Sequence, residues 1–524
     1  MLNSESEHMS SVDNFWLRQD RPYNHMTISS VMILADKVDL QDLQKIFETR
    51  WCAYQRFKQR PVNHPTGACW ETDPHFEIGN HVRRVGLPGA QGKEELEELV
   101  SNLISMPMDP TKPPWDIHLV ENYRGGSAVI WRIHHCYGDG TALIPAAMSV
   151  TDKVPGGPGA TTPHHARRQS KPDEDEAAAG DIFRQLFEPV SEAVSQAVRA
   201  GKDLLGEGMD MALHPVETVD HARQGLGGAL SYARQGLGGA LSYARQGLEF
   251  VSEATQLLFL ADDPPTRFKG KLGVAKCVAW SEPLPLDDVR ILGKVLGCTI
   301  NDVLLSCVTG ALRAYLLAQG DPVDRSLEIR AAVPVNLRPQ SQADKLGNFF
   351  GMVLLPLPVG IDNPLERLTA VHQRMEALKA SYQATVTIGL MEILGLGPST
   401  TQAWAIRLLS KKATTVMTNV PSSQEPLYLA GCQITDWMFW VPQSGSVGMG
   451  VSIITYNGHV QFGLITDRKR VSDPEAIISR FSKEFEELVL ITMMQPWDKP
   501  VEAEVVTDLI RTGVQTASPV ERLA

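Results

Sequence analysis

Seven consecutive residues carry the clearest chemistry in this chain. They are His134-His135-Cys136-Tyr137-Gly138-Asp139-Gly140, a histidine pair followed after three intervening residues by Asp-Gly. A neutral imidazole can take a proton near pH 7. Held beside a substrate it acts as a general base, worth about 10²–10⁴-fold in rate. The task that suits it is to deprotonate an alcohol or amine so that the heteroatom attacks an acyl group. A carboxylate at Asp139 can fix the local loop or pair with an arginine. Gly140 has no side chain and leaves room for a substrate to come close. A cysteine nucleophile at Cys136 is the weaker reading, because nothing adjacent marks its thiol as activated.

A strand must deliver these residues. Residues 117–121 and 128–133 read as two strands joined at Gly125-Gly126, a hairpin leading into the histidines. Side chains alternate along a strand, so His134 and His135 should face opposite ways unless the strand has bent. One of the two then meets substrate. Residues 141–150 read as the helix that follows. Upstream, 26–34 is a strand, Asp39 caps a helix carrying Leu43, Ile46, Phe47 and Trp51, and 94–104 is a second amphipathic helix.

The chain has 524 residues, too many for one core, and two domains are the default. Its composition is globular, with 43% hydrophobic and 21% charged residues. A net charge of -12 argues against a nucleic-acid binder driven by overall charge. The seven cysteines are scattered without a C-x-x-C pair, which fits free thiols in a reducing cytosol. The polar, acidic N-terminus does not read as a signal peptide. No uninterrupted apolar run reads as a bilayer span, so any membrane association is expected to be peripheral. No metal site stands out: His164-His165 has no further ligands at usable spacing.

Four segments follow. Residues 1–150 form a domain carrying the histidine motif. Residues 151–265 begin with a Pro/Gly and charged stretch and continue as a helical insertion. Residues 266–495 form a second domain, and 496–524 a tail. Within the insertion, 222–232 recurs without change at 233–243. An eleven-residue period is close to three helical turns, so equivalent positions stack. Ala222, Leu226, Ala229, Leu230 and Tyr232 fall on one side, which reads either as a spacer packed on protein or as an interfacial helix on lipid. In the second domain, 303–318 and 364–382 read as helices and 331–335, 349–357 and 414–420 as strands. Asn457-Gly458 marks a hairpin over 451–467. Asn301 and Asp302 both suit a helix N-cap. Both halves mix strands and helices, an α/β layered architecture.

The chain resembles a known family. His134 to Gly140 match the active-site motif of the coenzyme A-dependent acyltransferase superfamily. Within it the chain is similar to bacterial wax ester synthase/diacylglycerol acyltransferases. Further matching blocks are Ser11-Val12-Asp13-Asn14-Phe15-Trp16, Asn301-Asp302-Val303, Pro334-Val335-Asn336-Leu337-Arg338, Gly347-Asn348-Phe349 and Thr418-Asn419-Val420-Pro421. Pro113-Pro114-Trp115 departs at its middle residue from the family's Pro-Leu-Trp, and reads as a structural turn with a packed indole. The resemblance covers most of the chain outside 151–265. Peptide-synthetase condensation domains share the histidine motif, and the later blocks favour the wax ester branch.

What the resemblance implies is an α/β fold of two chloramphenicol-acetyltransferase-like domains with a tunnel at their interface. His135 would be the general base, accepting the proton of a fatty alcohol or diacylglycerol hydroxyl that attacks an acyl-coenzyme A thioester in a ternary complex. His134 would support it. Asp139 would be structural, with Arg338 as its partner. Gly138, Gly140 and Asn301 are candidates for the oxyanion donor or its surroundings, Asp302 lies beside Asn301, and Asn419 would shape the tunnel. No cofactor is implied beyond acyl-coenzyme A as substrate. The expected partners are acyl-coenzyme A, the acceptor alcohol or diacylglycerol, and a lipid surface. The expected location is cytoplasmic, peripheral at the inner membrane face or on lipid inclusions. The alternatives are a condensation-type enzyme using carrier-protein thioesters and a noncatalytic lipid-surface protein on the same fold.

Overall fold

The structure, a computed structural model, describes residues 6–64, 67–155, 256–257, 259–338, 346–379, 381 and 383–494. The 222–243 repeat and the 496–524 tail lie outside the described residues.

The first half runs β1 (Glu7–His8), α1 (Ser11–Leu17), β2 (Thr27–Leu34), α2 (Leu40–Thr49), β3 (Gln59–His64), β4 (Gly67–Thr72), β5 (Val82–Val85), α3 (Lys93–Ile104), β6 (Trp115–Tyr123), β7 (Gly126–His134) and α4 (Gly140–Ser149). Asp39 caps α2 through the amides of Gln41 and Asp42. The β6–β7 hairpin forms in register, with Trp115 opposite Ile133. Every residue of β7 is buried because its two sides face different cores. Val129, Trp131 and Ile133 pack with Leu43 and Phe47 of α2. Ala128 and Ile130 pack with Leu96 and Val100 of α3. A strand apolar on both faces belongs inside a sheet, and β7 lies between β2 and β6.

The second half runs β8 (Lys276–Trp280), β9 (Leu284–Pro285), α5 (Leu286–Leu296), α6 (Ile300–Ala318), β10 (Ile329–Asn336), β11 (Phe350–Leu357), α7 (Pro364–Lys379), α8 (Gln383–Leu396), α9 (Ser399–Leu409), β12 (Thr415–Pro421), β13 (Tyr428–Leu429), β14 (Cys432–Trp440), β15 (Met449–Tyr456), β16 (His459–Asp467) and α10 (Glu475–Met493). Its sheet orders β11-β10-β12-β15-β16-β8. Pro356 does not interrupt β11, because β11 is an edge strand and loses no ladder bond on its outer side. Asn457 and Gly458 both take positive φ, 48° and 73°, at the tight β15–β16 turn. The helix expected over 364–382 ends at Lys379 and a separate helix begins at Gln383. Helix α6 is apolar and long enough to span a bilayer, yet it is mostly buried in the core of this half.

The halves are laced together. β13 and β14, from the middle of the second half, join the first sheet, where β14 pairs with β2. In return α3 covers the edge of β8, with Ser101 and Ser105 hydroxyls accepting the Val278 and Lys276 amides (3.0 and 2.8 Å).

Candidate active site

The β7 strand stops at His134, and His135-Cys136-Tyr137 form a single 3₁₀ turn. The change of backbone aims the two imidazoles at different neighbours. The His134 Nδ1 accepts the Cys136 amide (3.1 Å), and its Nε2 lies 3.3 Å from Asp20 Oδ2. Burial works against a charge on this ring, while Cys136 and Asp20 act the other way and raise its pKa. With Nδ1 accepting an amide, the neutral form of this ring carries its proton on Nε2, facing Asp20. The His134 amide is also held, by the Pro114 carbonyl (2.9 Å). Pro113-Pro114-Trp115 is thus structural: the Trp115 indole is buried and donates to the Phe57 carbonyl (2.7 Å).

His135 is placed differently. Its backbone is pinned, its amide donating to Met26 (2.7 Å) and its carbonyl accepting from Asn348 Nδ2 (2.9 Å). Its ring stacks on Trp16 of α1, with centroids 4.3 Å apart and planes 19° from parallel, and tilts against Phe350 of β11. The residue is only 7% exposed, and its Nδ1 is buried with no hydrogen-bond partner among the described residues. Burial pushes its pKa down to about 4, against the opposing pull of Asp139. The imidazole is therefore neutral near pH 7, the form a base requires.

The rest of the motif turns to the second half. Asp139 caps α4 through the Ala142 amide (2.9 Å) and accepts the Phe349 amide (2.8 Å). Both its oxygens meet Arg338 Nη2, at 3.2 and 3.1 Å. Gly138 lies against Gly347 as an isolated bridge; a Cβ there would come within 3.0 Å of the Gly347 amide and of Ala142. Gly140 is less confined, since a Cβ would meet only Val420, at 3.6 Å. The amides of Gly138 and Asp139 are taken by the His135 and Gly347 carbonyls. The Gly140 amide opens α4, where no intrahelical carbonyl can reach it.

Asn301 and Asp302 are not the helix cap expected of them. Thr299 caps α6, and Asp302 closes the capping box from its third position while holding His372 Nδ1 at 2.7 Å. Asn301 accepts from Asn419 of β12, and both are exposed. Among the described residues no hydrogen bond ties this pair to His135.

Five neighbours of the motif were not singled out as site residues from the sequence: Asp13, Trp16, Asp20, Asn348 and Phe350. Asp13 accepts both the amide and the Nδ2 of Asn348 (3.1 and 2.8 Å), and so steadies the group that holds the His135 carbonyl. Burial raises the Asp13 pKa despite these donors. Three of the five lie in the blocks 11–16 and 347–349, whose signal was resemblance alone; contact between regions over 300 residues apart leaves no local pattern.

Comparison with known proteins gives the family. A model of the wax ester synthase/diacylglycerol acyltransferase catalytic domain matches residues 9–304, and one of the WS/DGAT C-terminal domain matches 346–489. A Mycobacterium tuberculosis protein named a probable diacylglycerol O-acyltransferase is 28% identical over 425 residues, 80% of each chain. Among solved structures, the wax ester synthase/diacylglycerol acyltransferase from Marinobacter aquaeolei VT8 superposes with TM-score 0.60 at 18% identity. It covers 93% of this chain and 100% of that one. The first condensation domain of the calcium-dependent antibiotic synthetase reaches 0.53 at 13% identity, covering 93% and 97%. These two structures share the fold.

Proposed function

Since this chain belongs to the wax ester synthase/diacylglycerol acyltransferase family and is an acyltransferase, we propose that it moves a fatty acyl group from acyl-coenzyme A to a long-chain alcohol or diacylglycerol, with His135 as general base. The neutral imidazole takes the hydroxyl proton as the oxygen attacks the thioester carbonyl. The tetrahedral intermediate then loses the sulfur. The C–O bond has formed, the C–S bond has broken, and the imidazolium returns the proton to the thiolate. No acyl-enzyme forms, so both substrates are bound together. We assign the Gly140 amide, which has no intrahelical acceptor, as the oxyanion donor, and losing such a donor typically costs about 10²–10³-fold.

The observation that carries this reading is the His135 ring: backbone pinned, stacked on Trp16, its pKa lowered by burial, and its buried Nδ1 without a hydrogen bond among the described residues. The test is His135→Ala assayed with palmitoyl-coenzyme A and either hexadecanol or dioleoylglycerol, following thiol release and ester. Turnover is expected to fall by at least about 10²-fold with the fold intact. Near-parental turnover would remove the base assignment.

A further inference from the structure

The loop 18–26, between α1 and β2, carries one carboxylate whose two oxygens face different groups. Asp20 Oδ1 accepts the Met26 amide (2.6 Å). Its Oδ2 lies 3.3 Å from His134 Nε2. Each contact leads on to the turn that presents His135. The Met26 carbonyl accepts the His135 amide (2.7 Å). The His134 ring accepts the Cys136 amide at Nδ1 (3.1 Å). One carboxylate is thus linked to the amides of residues 135 and 136, by a main-chain route and by an imidazole route.

The loop is anchored on the second half. Arg18 Nη1 donates to the Gly397 carbonyl (2.9 Å), the Ser444 hydroxyl donates to Gln19 Oε1 (2.6 Å), and Asn24 Nδ2 donates to the Gly445 carbonyl (3.3 Å). Arg21 and Asn24 close the loop by exchanging amide–carbonyl bonds (3.0 and 2.9 Å). Asp20 stands between these anchors, so the docked halves set its position although its side chain is 47% exposed. Burial works against its charge, but the His134 imidazole and the Met26 amide outweigh it and lower its pKa. His134 itself is 3% exposed, and among the described residues its Nε2 makes no closer hydrogen bond. Contacts of this kind are often long before substrate binds. Against burial, Cys136 and Asp20 raise the pKa of the His134 ring. A second proton would sit on Nδ1, however, where it would face the Cys136 N–H and cost the turn that bond. The amide contact therefore assigns the neutral ring with its proton on Nε2.

We propose that Asp20 is a positioning residue: through His134 it selects the imidazole tautomer that holds the Cys136 amide, and so it fixes the turn that aims His135. A carboxylate on one ring nitrogen sets what the other nitrogen can accept. Here the ring so oriented is the neighbour of the base and never touches the reacting atoms. The proposal rests on the His135 base assignment, since it concerns how that ring is aimed.

The test reads the His134 ring directly, by nitrogen NMR of the full chain carrying isotope-labelled histidine. Its signals are those missing from His134→Ala. At neutral pH the parent should carry the proton on Nε2 alone, and a proton on Nδ1 overturns the proposal before any variant of Asp20 is made. In D20A the ring should exchange between both tautomers; an unchanged ring overturns the proposal. Turnover per folded molecule is measured beside it, with palmitoyl-coenzyme A and hexadecanol or dioleoylglycerol. D20A should lower kcat about tenfold or more, with KM for both substrates within about twofold of the parent. D20E restores two acceptor oxygens and should recover most of that loss. In a His134→Ala background D20A should cost little further. Parental kcat in D20A overturns the proposal. So does an undiminished loss in the His134→Ala background, which would confine Asp20 to the Met26 amide. The base assignment fails separately: retained turnover in His135→Ala removes it, while the tautomer of His134 judges Asp20 without any turnover being read.

Discussion

Two buried aspartate–arginine pairs lie within a few residues of the histidines, and they do different work. Asp116 and Arg132 face each other across the β6–β7 hairpin, with Nε 2.8 Å from Oδ1. The Arg132 Nη1 also reaches the Met106 carbonyl (3.0 Å). Asp139 and Arg338 are 199 positions apart, one in each half, and the guanidinium also lies 4.6 Å over the Phe349 ring. The first pair is brought together by a local turn and neutralises a charge inside one sheet. The second exists only when the halves have docked, and it shapes the loop between His135 and α4. Equal chemistry therefore serves folding in one place and the site in the other.

The largest effect that would sharpen this contrast is on the local pair. Arg132→Ala leaves the buried Asp116 with only the more distant Arg83, at 3.8 Å, and breaking such a pair costs up to about 3–5 kcal/mol. The denaturation midpoint should drop accordingly, while turnover per folded molecule changes much less. Asp139→Asn keeps the shape but weakens the link to Arg338, so stability and rate should fall together, by about 1–2 kcal/mol and about tenfold. A rate loss with an unchanged melting curve would break the contrast by moving Asp139 into the chemistry.

Next is Trp16→Ala, which unstacks His135. Turnover should fall about tenfold. With water admitted, the ring should titrate closer to its ordinary value of about 6.5. The sign follows from the parent: its His135 pKa is depressed to about 4, so kcat/KM should hold as pH falls through 6 and decline only on approach to 4. In Trp16→Ala that acid limb should move up. A limb that stays in place with turnover reduced would give Trp16 a packing role only. The smallest effect is Gly140→Ala, where the added methyl meets only Val420. Stability should stay within about 0.5 kcal/mol, and a rise in KM would mark the opening at Gly140 as used by substrate.

Much of the local structure was legible without coordinates. The hairpin, the Asp39 cap and the Asn457-Gly458 turn follow from alternation and turn chemistry acting over a few residues. The association of Asp139 with Arg338 came through family resemblance, and the structure places the two in contact. The expected cap at Asn301-Asp302 missed by two positions because Thr299 serves better, leaving the Asp302 carboxylate to close the box. The crossover of β13 and β14 into the first sheet had no local sign, since a strand's partner is a property of the whole sheet.

Residue type and spacing by themselves determined that an imidazole stands at the end of a strand, followed by an aspartate able to fix the local loop and then by a helix. Short-range sterics and hydrogen bonding are enough for that. Which imidazole faces a carboxylate and which faces rings was decided only in three dimensions. Asp20 Oδ2 lies 3.3 Å from the His134 Nε2, while Trp16 and Phe350 enclose His135. The reason is physical: a ring's protonation and freedom depend on what surrounds it, and these surroundings arrive from both ends of the chain.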